Sequence, residues 1–270
     1  MSDAIQDAAA EALKEAVPWH TVGIITRSSA GDCEQGIGTG AVVRWHKHSL
    51  ILTAKHVVEG TPPEELWFYL RPDGTLNTHA VQDVNPANIG LESRRRLPVC
   101  AVVLSEAEDL ALLDLDVPPT GIDNLRFHAL DGDASTPQPG EMVIVAGYPS
   151  DLGQHVGQGA MAAFLSIQAT FIEQPRPLHN HSPANHFLAR HEFSTDGIHA
   201  RGISGAGVWF RRIISSGIWH ANLELAGIAT HYYPDEQLLE VVRVERVISF
   251  LRSTYPENIT LSLAGDNSCD

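Results

Sequence analysis

From residue 20 to about residue 240 the chain is a succession of short runs rich in Val, Ile, Leu, Thr and aromatic residues, each soon interrupted by Gly, Pro, Asn or Asp. Runs this short do not read as helices of ordinary length, and their punctuation does not suit βαβ units. The pattern predicts an all-β sandwich or barrel. Strands are expected at Thr21–Arg27, Gly36–Trp45, Leu50–Thr53, Leu66–Arg71, Val99–Ser105 and Leu110–Asp114. A second set is expected at Met142–Ala146, Ala160–Ile172, Phe187–Phe193, Gly207–Ile214 and, with an internal break, Ile218–Thr230. Residues 117–140 carry four prolines and little periodicity, which suits a linker between two halves. Helices are expected only at the ends. Residues 3–16, closed by Pro18, read as a surface flap, and Val242–Leu251 places Val242, Val244, Val247, Ile248 and Leu251 on one face.

Composition narrows the function classes. Eighteen basic residues against 33 acidic ones give a net charge of −15, which repels a phosphate backbone, so neither nucleic acid nor a membrane is an expected partner. No apolar run approaches the ~20 residues of a membrane span, and the mixed-charge start MSDAIQDAAAEALKEA lacks the pattern of a secretory signal. A cytoplasmic location is the expectation. Cys33, Cys100 and Cys269 are odd in number and widely spaced, so no disulfide framework is expected.

Three segments sit in contexts that suit chemistry. In LILTAKHVV a buried strand runs directly into His56, which is thereby held rigidly yet can face a cleft. In EDLALLDLD, Asp109 precedes an apolar run, and a carboxylate entering an interior must find a partner. In ARGISGAGVWF, Ser204 lies between Gly202 and Gly205 ahead of an apolar strand, where glycines permit a tight turn with N–H groups directed outward.

With these residues the chain resembles the chymotrypsin-like (trypsin-like) serine peptidases, nearest their bacterial HtrA/DegP-like branch, over about residues 20–252. The resemblance rests on TAKHV around His56, DLALL around Asp109, VAGYP at 145–149, GISGAG around Ser204 and LAGIATH ending at His231. Asp109 follows His56 by 53 residues and Ser204 follows Asp109 by 95, in the His, Asp, Ser order of that family. The resemblance implies two packed six-stranded antiparallel Greek-key β-barrels with a C-terminal helix. Residues 1–18 would be an N-terminal extension, 19–130 a first barrel bearing His56 and Asp109, 131–256 a second bearing Ser204, and 257–270 a tail. It implies Ser204 as nucleophile, His56 as base and then acid, and Asp109 as the group that fixes the imidazole. The N–H groups of Gly202 and Ser204 would form the oxyanion hole. The first specificity pocket would have Ile198 as floor and Ile228, Ala229 and Thr230 as walls, an apolar pocket unless Asp196 enters it. The implied activity is endopeptidase hydrolysis of a protein or peptide substrate through an acyl-enzyme, without metal or cofactor, and restraint of that activity is expected from the helix at 3–16 or from a regulatory protein partner.

Departures from the family pattern limit what carries over. Ile203 stands where digestive members have aspartate, so activation by a freed N-terminus is not expected, and the branch's PDZ module is not expected after the last helix. A catalytically weak or inactive peptidase-fold binding module is the alternative. Other readings are weaker. His179, His181, His186, His191 and His199 invite a zinc site but lack its spacing. His46 and His48 are expected on a solvated face. Asp114 and Asp116 compete with Asp109 but fall at the far end of the strand.

Overall fold

The computed structural model describes residues 3–27, 35–70, 94–117, 125–130, 136–149, 154–156, 159–161, 164–172, 182–191, 202–212 and 223–256. Helix α1 (Asp3–Ala16) runs through a 3₁₀ turn, Val17–His20, into β1 (Thr21–Arg27), β2 (Gln35–Trp45) and β3 (His48–Ala54). The short α2 (Lys55–Val58), a 3₁₀ turn at Pro63–Glu65, β4 (Trp67–Tyr69), β5 (Arg94–Arg95), β6 (Val99–Ser105), β7 (Leu110–Leu115) and β8 (His128–Ala129) follow. The second half comprises β9 (Met142–Gly147), β10 (Gln154–Val156), β11 (Gly159–Met161), β12 (Leu165–Ile172), β13 (His186–His191), β14 (Gly207–Phe210), β15 (Glu224–Tyr233), β16 (Leu238–Arg243) and α3 (Val244–Thr254).

Strands β12, β13, β16, β15, β14 and β9 close into a six-stranded antiparallel barrel. The first half forms an eight-stranded sheet ordered β5-β4-β1-β2-β3-β7-β6, with β8 added in parallel to β2. The all-β reading therefore stands, with its C-terminal helix. Among the described residues no helix is long and apolar enough to cross a membrane.

Three local expectations are corrected. The proline-rich stretch contains a strand, β8, whose His128 and Ala129 pair with Val43 and Arg44. Val242 belongs to β16 and not to the last helix: β16 is buried along five consecutive residues, so in LLEVVRVERVISFL its apolar run passes without a break into the 3.6-residue repeat of α3, and sequence alone does not mark the crossing. Helix α1 is no flap. Its Leu13 and the following Val17 are fully buried in a cluster that joins both halves, with Trp45, Leu52, Trp209, Val247 and Leu251 among its members.

The halves are also joined by polar contacts that converge on Thr39 of β2. Its N–H donates to the carbonyl of Ser204 (2.9 Å), and its hydroxyl donates to the carbonyl of Gly202 (2.8 Å). That hydroxyl also accepts the N–H of Tyr148 (3.0 Å), while the Thr39 carbonyl accepts the Thr53 hydroxyl (2.7 Å). Thr39 is fully buried, so each bond is made where water cannot replace it. A second contact involves His20 and His128, whose rings pack on buried Trp209 at centroid distances of 5.4 and 5.0 Å. Burial pushes the pKa of His20 down and that of His128 down to about 4.

Two predictions follow from these contacts. Thr39→Val removes one acceptor and one donor inside the fold and is expected to cost about 2–4 kcal/mol in urea unfolding, with Thr39→Ser recovering most of it. The histidines bind protons near pH 6.5 when unfolded but resist protonation when folded. Stability is therefore fully present above about pH 6.5 and falls as the pH drops toward 4. Urea midpoints measured at pH 7 and pH 5 check this, and His128→Gln should flatten the dependence.

Candidate active site

Strands β3 and β7 pair with Ala54 opposite Leu110 and Thr53 opposite Ala111, so the residues just beyond those ends meet although they are 53 apart in sequence. His56 lies in α2 immediately after β3, and Asp109 ends the turn before β7. Asp109 has φ 50°, the left-handed region that Asp tolerates better than most residues. Its carbonyl accepts the N–H of Lys55 at 2.8 Å. The carboxylate faces the histidine: Oδ1 accepts the main-chain N–H of His56 at 3.2 Å and Oδ2 accepts Nδ1–H at 2.7 Å. A carboxylate only accepts, so Nδ1 carries the proton and Nε2 of the neutral ring is left as the basic nitrogen. The His56 side chain is 44% exposed and Asp109 26%, so the pair lies open to a bound molecule.

The turn that carries Asp109 is itself anchored. Glu108 accepts the Ser105 hydroxyl and pairs with Arg246 of α3. Burial pushes the Glu108 pKa up, but the bonds from Ser105 and Arg246 outweigh it and hold the carboxyl below its usual range. Lys55 spans Glu59 (3.2 Å) and Glu106 on the flank of α2.

Ser204 occupies the turn that enters β14. Gly202 and Gly205 bracket it at φ 88° and 87°, a conformation glycine adopts without penalty. At Gly205 the space is closed as well, since a Cβ would lie 2.1 Å from the Thr39 carbonyl and from the Thr53 hydroxyl. The Gly205 N–H donates to the Ala229 carbonyl (2.7 Å) and the Ala206 N–H to that of Ile203 (2.8 Å). Among the described residues the N–H groups of Gly202 and Ser204 have no hydrogen-bond acceptor. The Ser204 hydroxyl donates to the Thr230 carbonyl at 3.4 Å. Thr230 sits at a bulge of β15, between Ala229 and His231, and the His231 ring stands 5.9 Å from that of His56. His231 Nδ1 is 3.9 Å from the buried carboxylate of Glu240. Ser204, Thr230, His231 and His56 thus follow one another around one opening.

The expected pocket fares unevenly. Ile198 and Asp196 lie outside the described residues. Ile228 is fully buried in the cluster that joins the halves and Ala229 in the barrel interior, so the side chains of both serve the core. Thr230 reaches the opening through its carbonyl. Of the histidines, His48 departs from expectation: it bonds Asp114 at 3.0 Å and packs on Tyr255, whose hydroxyl bonds the same carboxylate. That engagement also removes Asp114 as a partner for His56. His179, His181 and His199 lie outside the described residues, and among those described no cluster of His, Cys, Asp or Glu could hold a metal ion. Thr39, Glu108 and Arg246, which position the site, carry no signal in sequence because each acts on residues more than 100 positions away.

Comparison with known proteins bears on the family and the fold. The model of the trypsin-like peptidase domain matches residues 38–212. No curated protein matches the chain. Among solved structures, an inactivated protease paralogue of the scabies mite, SMIPP-S-I1, is 20% identical with TM-score 0.54, over 89% of this chain and 95% of that one. The active form of the Rv3671c protease from M. tuberculosis is 17% identical with TM-score 0.54, over 93% and 86%. The MamO protease domain from Magnetospirillum magneticum is 18% identical with TM-score 0.51, over 87% and 96%. At these identities the structures speak for the fold, and the match over well more than half of the chain settles the family. The chain belongs to the trypsin-like peptidase domain family.

Proposed function

We propose that the protein is a serine endopeptidase that cleaves peptide bonds through an acyl-enzyme on Ser204. The observation that carries this reading is the bond from His56 Nδ1 to Asp109 at 2.7 Å, which leaves Nε2 as the base. In the proposed reaction the Ser204 hydroxyl turns from Thr230 to His56, gives up its proton to Nε2 and attacks the scissile carbonyl. The N–H groups of Gly202 and Ser204 receive the oxyanion, and the imidazolium, stabilised by Asp109, protonates the leaving amine. Water then repeats the sequence to release the acid. No metal or cofactor takes part. Substrates are proteins or peptides, with a small or medium apolar residue before the cleaved bond on account of Ile198, and a protein partner is the proposed regulator. The compartment is proposed to be the cytoplasm, and the nearest branch the HtrA/DegP-like one.

One observation favours a second reading. The Ser204 hydroxyl gives its hydrogen bond to a carbonyl and not to the imidazole, and two of the similar structures, SMIPP-S-I1 and SMIPP-S-D1, are inactivated protease paralogues. In that reading the fold binds proteins without cleaving them.

Reaction with a fluorophosphonate probe separates the two. The enzyme reading expects labelling of the wild type, none in Ser204→Ala and a large loss in His56→Ala. A folded wild type that never labels, alone or with peptide present, refutes it. Asp109→Asn is expected to slow peptide hydrolysis by about 10⁴-fold, because the neutral amide stabilises the wrong imidazole tautomer. Steady-state kcat measures this, with KM little changed.

A further inference from the structure

A cavity of about 520 Å³ opens at the rim of the barrel where β12 ends, β13 begins and β16 ends. Its base is formed by Phe171 and Phe187, both buried, with rings packed edge to face at 4.9 Å. Pro137, Pro139 and Pro183 supply further apolar lining. None of the His56, Asp109 and Ser204 set lines it.

Among the described residues the one permanent charge in the lining is Arg243. Its guanidinium carbon stands 5.8 Å from the Phe171 ring centre and 5.7 Å from that of Phe187. Its Nε–H is shared between the carbonyls of Pro183 and His186, each at 3.1 Å, which fixes the plane of the group. The two terminal amino groups keep four N–H donors, and among the described residues Arg243 has no carboxylate partner. The nearby acids are occupied elsewhere: Glu141 accepts the N–H of Gln138 at 2.7 Å, and Glu245 accepts the Thr136 hydroxyl.

We propose that this cavity binds a carboxylate carried on an apolar body. The volume falls within the ~300–1,000 Å³ of ordinary ligand pockets. Phenylalanine and proline surfaces favour an aromatic or branched aliphatic body, and the guanidinium excludes an amine. A fork held by its Nε loses little freedom on pairing with a carboxylate, with which it can form two parallel bonds. A single arginine on a chain of charge −15 is a poor site for a phosphate dianion or a polyanion. Two sources supply the favoured chemistry, a small aromatic acid and the C-terminal residue of a peptide. The inference is independent of the catalytic reading.

Isothermal titration of the full chain tests it, with N-acetyl-L-phenylalanine, its amide and 3-phenylpropionate as probes. The free acids are expected to bind at least tenfold more tightly than the amide. Arg243→Gln should abolish that preference, and Ile172→Trp, which fills the lining, should weaken all three probes. If Arg243→Gln fails to fold, Ile172→Trp carries the test. Equal affinity for N-acetylphenylalanine and phenylpropionate supports the site and identifies small acids, and tighter binding of the N-acetyl compound supports it and identifies peptide termini. Acid and amide binding alike, no binding of either acid, or affinities untouched by both substitutions would overturn the proposal.

Discussion

The structure turns on one buried threonine. Thr39 joins the first sheet to the turn that carries Ser204 by two hydrogen bonds, to Tyr148 by a third and to Thr53 by a fourth. Since Thr53 lies three residues before His56, the strand that delivers the histidine and the turn that delivers the serine are tied to the same residue. The lack of a Cβ at Gly205 lets the turn approach that closely, as any side chain there would overlap the Thr39 carbonyl. The position of Ser204 relative to His56 is therefore set by hydrogen bonds inside a packed interface, where geometry is narrow and water cannot substitute.

Legibility in the sequence followed the range of the interaction. His56 and Asp109 could be read because each stands at the end of an apolar strand, and the pairing of β3 with β7 brings the two ends together. The glycines about Ser204 were readable for the same reason, being local demands of the backbone. The roles of Thr39 and Arg246 were not, since a threonine in a strand and an arginine on a helix look alike whether or not they reach across the molecule. The register of β15 was hidden too. Its bulge, between Ala229 and His231, leaves the His231 ring beside that of His56, and Ile228 and Ala229 turn their side chains into two separate core clusters, whereas the resemblance implied pocket walls from Ile228, Ala229 and Thr230.

Titratable groups in the two regions are treated in opposite ways. Around the site, acids are partnered: Asp109 accepts the hydrogen bonds of His56, and the charges of Glu108 and Arg246 and of Lys55 with Glu59 and Glu106 are matched. Beneath it, His20 and His128 are packed against Trp209 and kept neutral by burial, and His191 is likewise pushed down to about 4. Partially exposed charged pairs hold the surface turns, and uncharged rings hold the interior. Glu240 is the exception, a buried acid bonded by the Tyr233 hydroxyl and set behind the one exposed imidazole that neighbours His56.

The burial of α1 bears on how the molecule comes into being. Leu13 and Val17 belong to the same buried cluster as Ile144, Trp209, Val247 and Leu251, so one core is shared by residues far apart in the sequence. Contacts so distant in sequence close slowly, because the chain between them must first be gathered. Until Val247 and Leu251 are in place, the cluster that holds Leu13 and Val17 lacks part of its apolar members. The turn bearing Ser204 leans on β15 as well, through the carbonyls of Ala229 and Thr230, so its shape depends on closure of the second barrel around it.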